Sequence, residues 1–216
     1  MRAAVRKRGQ SNNRDFYLAC LRRHAHELLR MGYARLCPND LALSEETEIT
    51  GELVRAMHDA VQADSAPSWV VHYALPKDDP PLNTPSRLGK ARYRIDIEFE
   101  RVQRGARPLF RFEAKRLGER RPASIYLGKD GLGCFLSGRY PTTNCQAGMI
   151  GYVQSDDEAT WASKISECMS KDRGAYRVQK LGEWRRIRII HGLKYTYQTS
   201  HATPAITIYH VLLRFS

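Results

Sequence analysis

No stretch of this chain approaches the roughly 18 uninterrupted apolar residues of a membrane-spanning helix. Its basic first residues are not followed by the apolar segment of a secretory leader, so a cytoplasmic protein is expected. Cysteine pairs at C-x-x-C spacing are also missing. The five cysteines, Cys20, Cys37, Cys134, Cys145 and Cys168, are an odd set that suits neither a zinc knuckle nor a disulfide framework, and reduced thiols are expected. There is no G-x-S-x-G elbow, no H-E-x-x-H helix and no phosphate-binding G-x-x-x-x-G-K-[ST] loop, since Gly128-Lys129 lacks the spacing. Histidine supplies no replacement. His24 and His26 stand two apart in a helical stretch and point to nearly opposite sides, so they cannot chelate one ion together. His191, His201 and His210 have no Asp/Ser partner pattern and read as structural.

Acidic charge is in deficit. Lys plus Arg number 35 against 23 Asp plus Glu, a formal net charge of +12. Such an excess favours polyanions, and nucleic acid before membrane, because no amphipathic basic anchor is present. At 216 residues, with 42% hydrophobic and 27% charged residues, the chain suits one domain with a full core.

What the sequence does contain is a polar strand pair. Tyr93, Ile95, Ile97 and Phe99 alternate with Arg92, Arg94, Asp96, Glu98 and Glu100, the period of a strand with one apolar face. In the run from Pro108 to Lys115, Phe110, Phe112 and Ala114 oppose Arg111, Glu113 and Lys115. A turn centred on Arg104 and Gly105 would set Asp96 directly opposite Glu113, and Arg94 opposite Lys115. Like charges so placed are destabilising in an ordinary sheet and call for a compensating cation. Two carboxylates meet the needs of a hard divalent cation such as Mg²⁺, which keeps waters and substrate phosphates as its other ligands. A metal there would polarise a phosphoryl oxygen and generate a nucleophilic water. Lys115, on the same face as Glu113, would offset developing charge.

Around this pair the sequence predicts further elements. Residues 1–10 read as a mobile basic arm carrying Arg2, Arg6, Lys7 and Arg8, followed by a helix over 12–31. A second helix is expected over 44–61, with Glu45, Glu46 and Glu48 in its first turn, where the macrodipole favours anions. Residues 68–75 read as a strand and 76–90 as a long loop. A helix is expected over 124–138, and the continuously apolar run 148–153 suits a central strand buried on both faces. Ser155, Asp156, Asp157 and Glu158 form a capping box for a helix to about 169, and strands are expected over 185–191 and 205–215. The order implies an α/β fold, a mixed central sheet flanked by helices on both faces. Basic residues expected to touch phosphate are Arg87, Lys90, Arg92 and Arg94 at the loop exit, Arg116, Arg120 and Arg121 after the second strand, and Arg185 and Arg186. The last two belong to a basic stretch, 171–188, interleaved with Tyr176 and Trp184.

Asp96 and the tripeptide Glu113-Ala114-Lys115, with apolar strand residues around each, resemble the PD-(D/E)xK nuclease superfamily. Ile95 stands where the motif's name has proline, its loosest position. The resemblance implies a restriction-endonuclease-like core over 44–216, with 1–43 as a basic arm and helix packed on it. It implies Mg²⁺-dependent phosphodiester hydrolysis, with Mn²⁺ able to substitute, Asp96 and Glu113 as metal ligands and Lys115 as the catalytic lysine. Several such families carry an acidic helix residue that reaches the metal. Glu52, at the edge of the stripe formed by Ile49, Leu53, Ala56, Met57 and Ala60, is the candidate third ligand. The substrate is expected to be DNA before RNA, cut internally, since no Gln-x-x-x-Tyr follows Lys115. The resemblance further suggests a restriction or antiphage role, as a homodimer or as the effector subunit of a defence complex. A non-catalytic nucleic-acid- or protein-binding module on the same scaffold is the alternative.

Overall fold

The computed structural model describes residues 2–84, 87–103, 107–142 and 145–216, with side chains from Asp15 onward. The expected turn at Arg104 and Gly105 and the side chains of the basic arm lie outside the described residues. Helix α1 (Arg2–Tyr33) begins ten residues earlier than its apolar periodicity suggests, so the segment expected to be a mobile arm is its first turns. Helix α2 (Glu46–Gln62) opens on a capping box between Glu45 and Glu48, and its stripe from Ile49 to Ala60 is buried as the sequence implies.

Among the described residues seven strands form one mixed sheet. They are β1 (Lys77–Asp78), β2 (Ile97–Glu100), β3 (Leu109–Leu117), β4 (Gln146–Val153), β5 (Arg185–Arg186), β6 (Thr196–Ala202) and β7 (Ala205–Arg214), in the order β1-β2-β3-β4-β7-β6-β5. The central pairs β3–β4 and β4–β7 are parallel and the outer ones antiparallel. As expected of a buried parallel strand, β4 is apolar on both sides. Ile150 and Tyr152 join one core with α1 and α2, while Ala147, Met149 and Val153 join a second core on the other face. That second core is covered by α3 (Ala123–Leu127), α4 (Leu132–Leu136) and α5 (Glu158–Lys171).

Several elements depart from the sequence reading. Residues 68–75 do not form a strand: Ser68–His72 is a 3-10 helix, and after it Tyr73 makes a single antiparallel bridge to Arg101 just past the end of β2. Only Val70 of its apolar residues is buried, and Val71 is 75% exposed, so there is no face for a sheet to accept. The helix expected over 124–138 is broken into α3 and α4 between Gly128 and Gly131, where the chain folds tightly on itself. A Cβ on Gly131 would lie 2.2 Å from the Tyr126 carbonyl oxygen. The strand expected over 185–191 pairs only at Arg185 and Arg186. Residues beyond leave the sheet, and Ile190 and Leu193 cover the α1 core. The strand β6, absent from the sequence reading, takes the place beside β7.

Candidate active site

The site forms where β2 parts from β3. The ladder runs from Glu100↔Leu109 to Ile97↔Phe112, so its next pair would be Asp96 against Glu113, the register the sequence implies. Strand β2 starts only at Ile97, and Ile95 packs in the opposite core from Ile97 and Phe99. Above Phe112, among the described residues, the edge of β3 therefore faces no strand on that side. Side-chain carboxylates take its donors instead. The Ala114 amide donates to Asp96 Oδ2 at 2.6 Å, and the Arg116 amide to Glu46 Oε2 at 3.1 Å. A free strand edge thus recruits acids.

Lys115 sits among them. Its Nζ lies 2.7 Å from Glu46 Oε1 and 2.9 Å from Glu113 Oε1, and donates to the Ala114 carbonyl at 2.7 Å. The Lys115 side chain is 13% exposed and that of Glu113 5%. Glu113 Oε2 is buried and, among the described residues, has no hydrogen-bond partner. Burial raises the Asp96 carboxyl to about 6, against the pull of Lys115 and the Ala114 amide. Burial pushes Glu113 well above the usual carboxylate range, with the Asp96 charge adding to the effect. For Lys115 burial works against the charge, but Glu113, Asp96 and Glu46 outweigh it and raise its pKa. Asp96 and Glu113 are neighbouring acids that both favour the neutral form, and a cation between them would take the place of a proton.

The second-face core closes over the pair. Cys134 and Tyr140 lie close enough to Glu113 for its charge to add to the burial that raises both their pKa values, the thiol to about 11. Tyr93 packs edge-on to Tyr140, and the guanidiniums of Arg87 and Arg139 lie 4.2 and 5.3 Å from its ring centroid. Tyr140 thus links the acids to Tyr93, whose ring carries two guanidiniums, that of Arg139 also held by Asp130 at 2.9 Å.

Asp96, Glu113 and Lys115 thus come together. Glu52 does not join them; it is ion-paired with Arg55 on the outer side of α2. The helix acid that reaches the site is Glu46, which the sequence reading assigned to helix-end electrostatics. Its position one residue into α2 is explained locally either way, and only the approach of that helix end to β3 reveals its second contact. Among the described residues, no three His, Cys, Asp or Glu side chains surround a common metal position, because Lys115 separates Glu46 from Glu113. Asp96 and Glu113, with its unpartnered Oε2, still suit a hard cation that takes one or two carboxylates.

Of the basic residues, Arg87 is exposed beside Tyr93, and Lys90 and Arg92 are on a 3-10 turn, Arg92 bonded to Asn83. Arg94 pairs with Asp79 and bridges to Pro81, so it does not oppose Lys115. Arg116 is committed to Glu45 and the Ser44 carbonyl, which clamps α2 to β3 rather than presenting a phosphate contact. Arg120 and Arg121 are exposed in the turn after β3, and Arg185 and Arg186 on the edge strand β5. Trp184, expected on a nucleic-acid surface, is instead stacked on Tyr197 at 4.6 Å and packed into the second core.

No family model matches the chain, and no curated protein or solved structure matches it. Among the described residues no helix is long and apolar enough to cross a membrane.

Proposed function

We propose that this chain is a divalent-metal-dependent nuclease of the PD-(D/E)xK kind, cutting DNA internally. The observation that carries the reading is the convergence of Asp96, Glu113 and Lys115 around a buried carboxylate oxygen without a partner. When bound, Mg²⁺ or Mn²⁺ would supply Lewis-acid polarisation of the phosphate and a nucleophilic water. Asp96 and Glu113 would hold it. Lys115, kept protonated by three acids, would stabilise charge growing on the phosphate oxygens. Glu46 replaces Glu52 as the helix acid, and orients Lys115 from the far side. Arg87, Arg139 and Tyr93 would meet the flanking phosphate and sugar. A restriction or antiphage role in the cytoplasm, alone as a dimer or within a larger complex, follows from the resemblance.

The test is cleavage of supercoiled plasmid by the purified protein with Mg²⁺ or Mn²⁺. Asp96→Ala, Glu113→Gln and Lys115→Ala are each expected to abolish it while circular dichroism stays unchanged, and activity persisting in Glu113→Gln would sink the assignment. One observation favours the alternative of a silent or partner-gated scaffold: Lys115 already bridges Glu46 Oε1 and Glu113 Oε1 with no cation between them. That alternative predicts an intact site without turnover in the isolated protein.

A further inference from the structure

A second concave surface lies on the other face of the sheet from Glu113 and Lys115, between α1 and the segment that connects β5 to β6. Three clefts of about 530, 600 and 440 Å³ adjoin there. The first and second share Ile190, His191 and Gly192, the first and third share Ile187 and Arg188, and Arg23 belongs to both the second and third. They adjoin through these shared walls as one grooved strip of surface. Its cations are Arg22, Arg23, Arg30, Arg186, Arg188 and Lys194, against one carboxylate, Glu27, which Arg30 holds at 2.7 Å.

The groove is built, not incidental. Gly192 adopts φ +99°, and a Cβ there would lie 2.7 Å from the Arg30 side chain, so the glycine lets the arginine lie flat against the connecting segment. Arg22 is fixed over the Tyr209 ring at 4.8 Å and donates to its hydroxyl at 2.7 Å. Trp69 stacks on His24 at 4.2 Å, and Phe16 is 64% exposed at the far end. Among the described residues Arg23 and Arg188 make no ion pair, and both are exposed. Aromatic and aliphatic walls with unpaired guanidiniums suit unstacked bases with their phosphates on the rim, which a duplex, its bases paired inside, does not offer.

We propose that this groove binds single-stranded nucleic acid at a site separate from the acids. The proposal rests on the nucleic-acid part of the reading above and not on hydrolysis. Because the groove lies on the other face of the sheet from Glu113 and Lys115, the strand it holds does not lie against that pair, and the groove acts as an anchor.

Equilibrium binding in EDTA with fluorescein-labelled dT20, U20 and a 20-base-pair DNA duplex tests it. The double variant Arg23→Glu/Arg188→Glu is expected to weaken single-strand binding by about tenfold or more, and to reduce the salt slope by roughly 1.4, the contribution of two phosphates on a single strand. Its melting temperature is expected to hold. Single-strand binding should quench tryptophan fluorescence, and Trp69→Phe should remove most of that quench. The dT20 and U20 arms decide between DNA and RNA. Unchanged single-strand affinity in the double variant overturns the proposal, and so does a duplex that binds more tightly than either single strand and depends equally on both arginines. Glu52→Gln, outside both the groove and the acids, is expected to bind as wild type does. An inactive wild-type protein whose groove variants lose binding would leave the groove standing without cleavage by the isolated chain. Cleavage by a protein whose groove variants bind normally would do the reverse.

Discussion

Asp96 gives one oxygen to the Ala114 amide and shares its surroundings with Glu113, a geometry that suits a bound cation better than an empty fold. With its pKa raised from 3.8 to about 6, the folded protein holds a proton that the unfolded chain has released between those values. Stability contributed by this group is therefore full below about pH 4 and falls as pH rises towards 6, by on the order of 3 kcal/mol. Urea unfolding should show Asp96→Asn more stable than wild type at pH 8 and similar to it at pH 4. At the same scale, Glu46→Gln is expected to lower cleavage at least about tenfold by loosening Lys115, while Glu52→Gln leaves it unchanged. Plasmid nicking rates check both. The sequence made Asp96, Glu113 and Lys115 legible because period-2 alternation and a hairpin settle who faces whom. Glu46 was not legible: an acid in a first helical turn is already accounted for by the dipole, and what it meets across the chain is a long-range fact.

At the scale of elements, β6 and β7 are tied to α3 by a buried chain of hydrogen bonds. His201 Nδ1 donates to the Tyr176 carbonyl at 2.6 Å, which leaves its Nε2 to accept the Thr199 hydroxyl at 2.8 Å. Thr199 in turn accepts from His210 Nε2 at 2.9 Å, and His210 Nδ1 accepts the Tyr126 hydroxyl at 2.9 Å. Each group has one role, which fixes the tautomers of both rings. Thr199→Val should cost about 1–3 kcal/mol for each of the two imidazoles it strands, measured by urea denaturation. Burial lowers the pKa of both histidines, and of His26 to about 4. Unfolding therefore takes up protons below the ordinary 6.5, and these residues lose stability as the solution is acidified, opposite in sign to Asp96. The strand β6 escaped sequence reading because its buried positions are Thr196, Thr199 and His201 as well as Tyr197, polar types whose inward role depends on this network. Similarly, Gly128 and Gly131 weaken a helical pattern without saying where it breaks; the Tyr126 carbonyl decides that.

Across the whole molecule, charge is unevenly allotted: acids gather at the β2–β3 gap, and unpaired arginines at the groove on the opposite face. A divalent cation that binds the gap relieves the buried acids only in the folded state. At a concentration of 100 Kd it should raise the melting temperature by roughly 5–10 °C, from about 2.7 kcal/mol of linkage at 2–4 °C per kcal/mol. Glu113→Gln should abolish the rise seen in differential scanning calorimetry. The mixed α/β class was legible here from the apolar run that became β4, because only a strand covered on both faces needs it. Strand order was not, since β7 reaches β4 from the far end of the chain.

Phe99, Phe110 and Phe112 interlock at ring separations of 5.0 and 5.8 Å, well inside the core and out of reach of any substrate. They act as a gauge for alignment. Were β3 to slide by one position along β2, Ala114 would take the seat opposite Asp96, and the acid couple would vanish although the chain could still be full of sheet. Fidelity of the proposed chemistry would thus be entrusted to three rings that never touch it, and variants that shrink them should lose plasmid nicking sooner than they lose strand content.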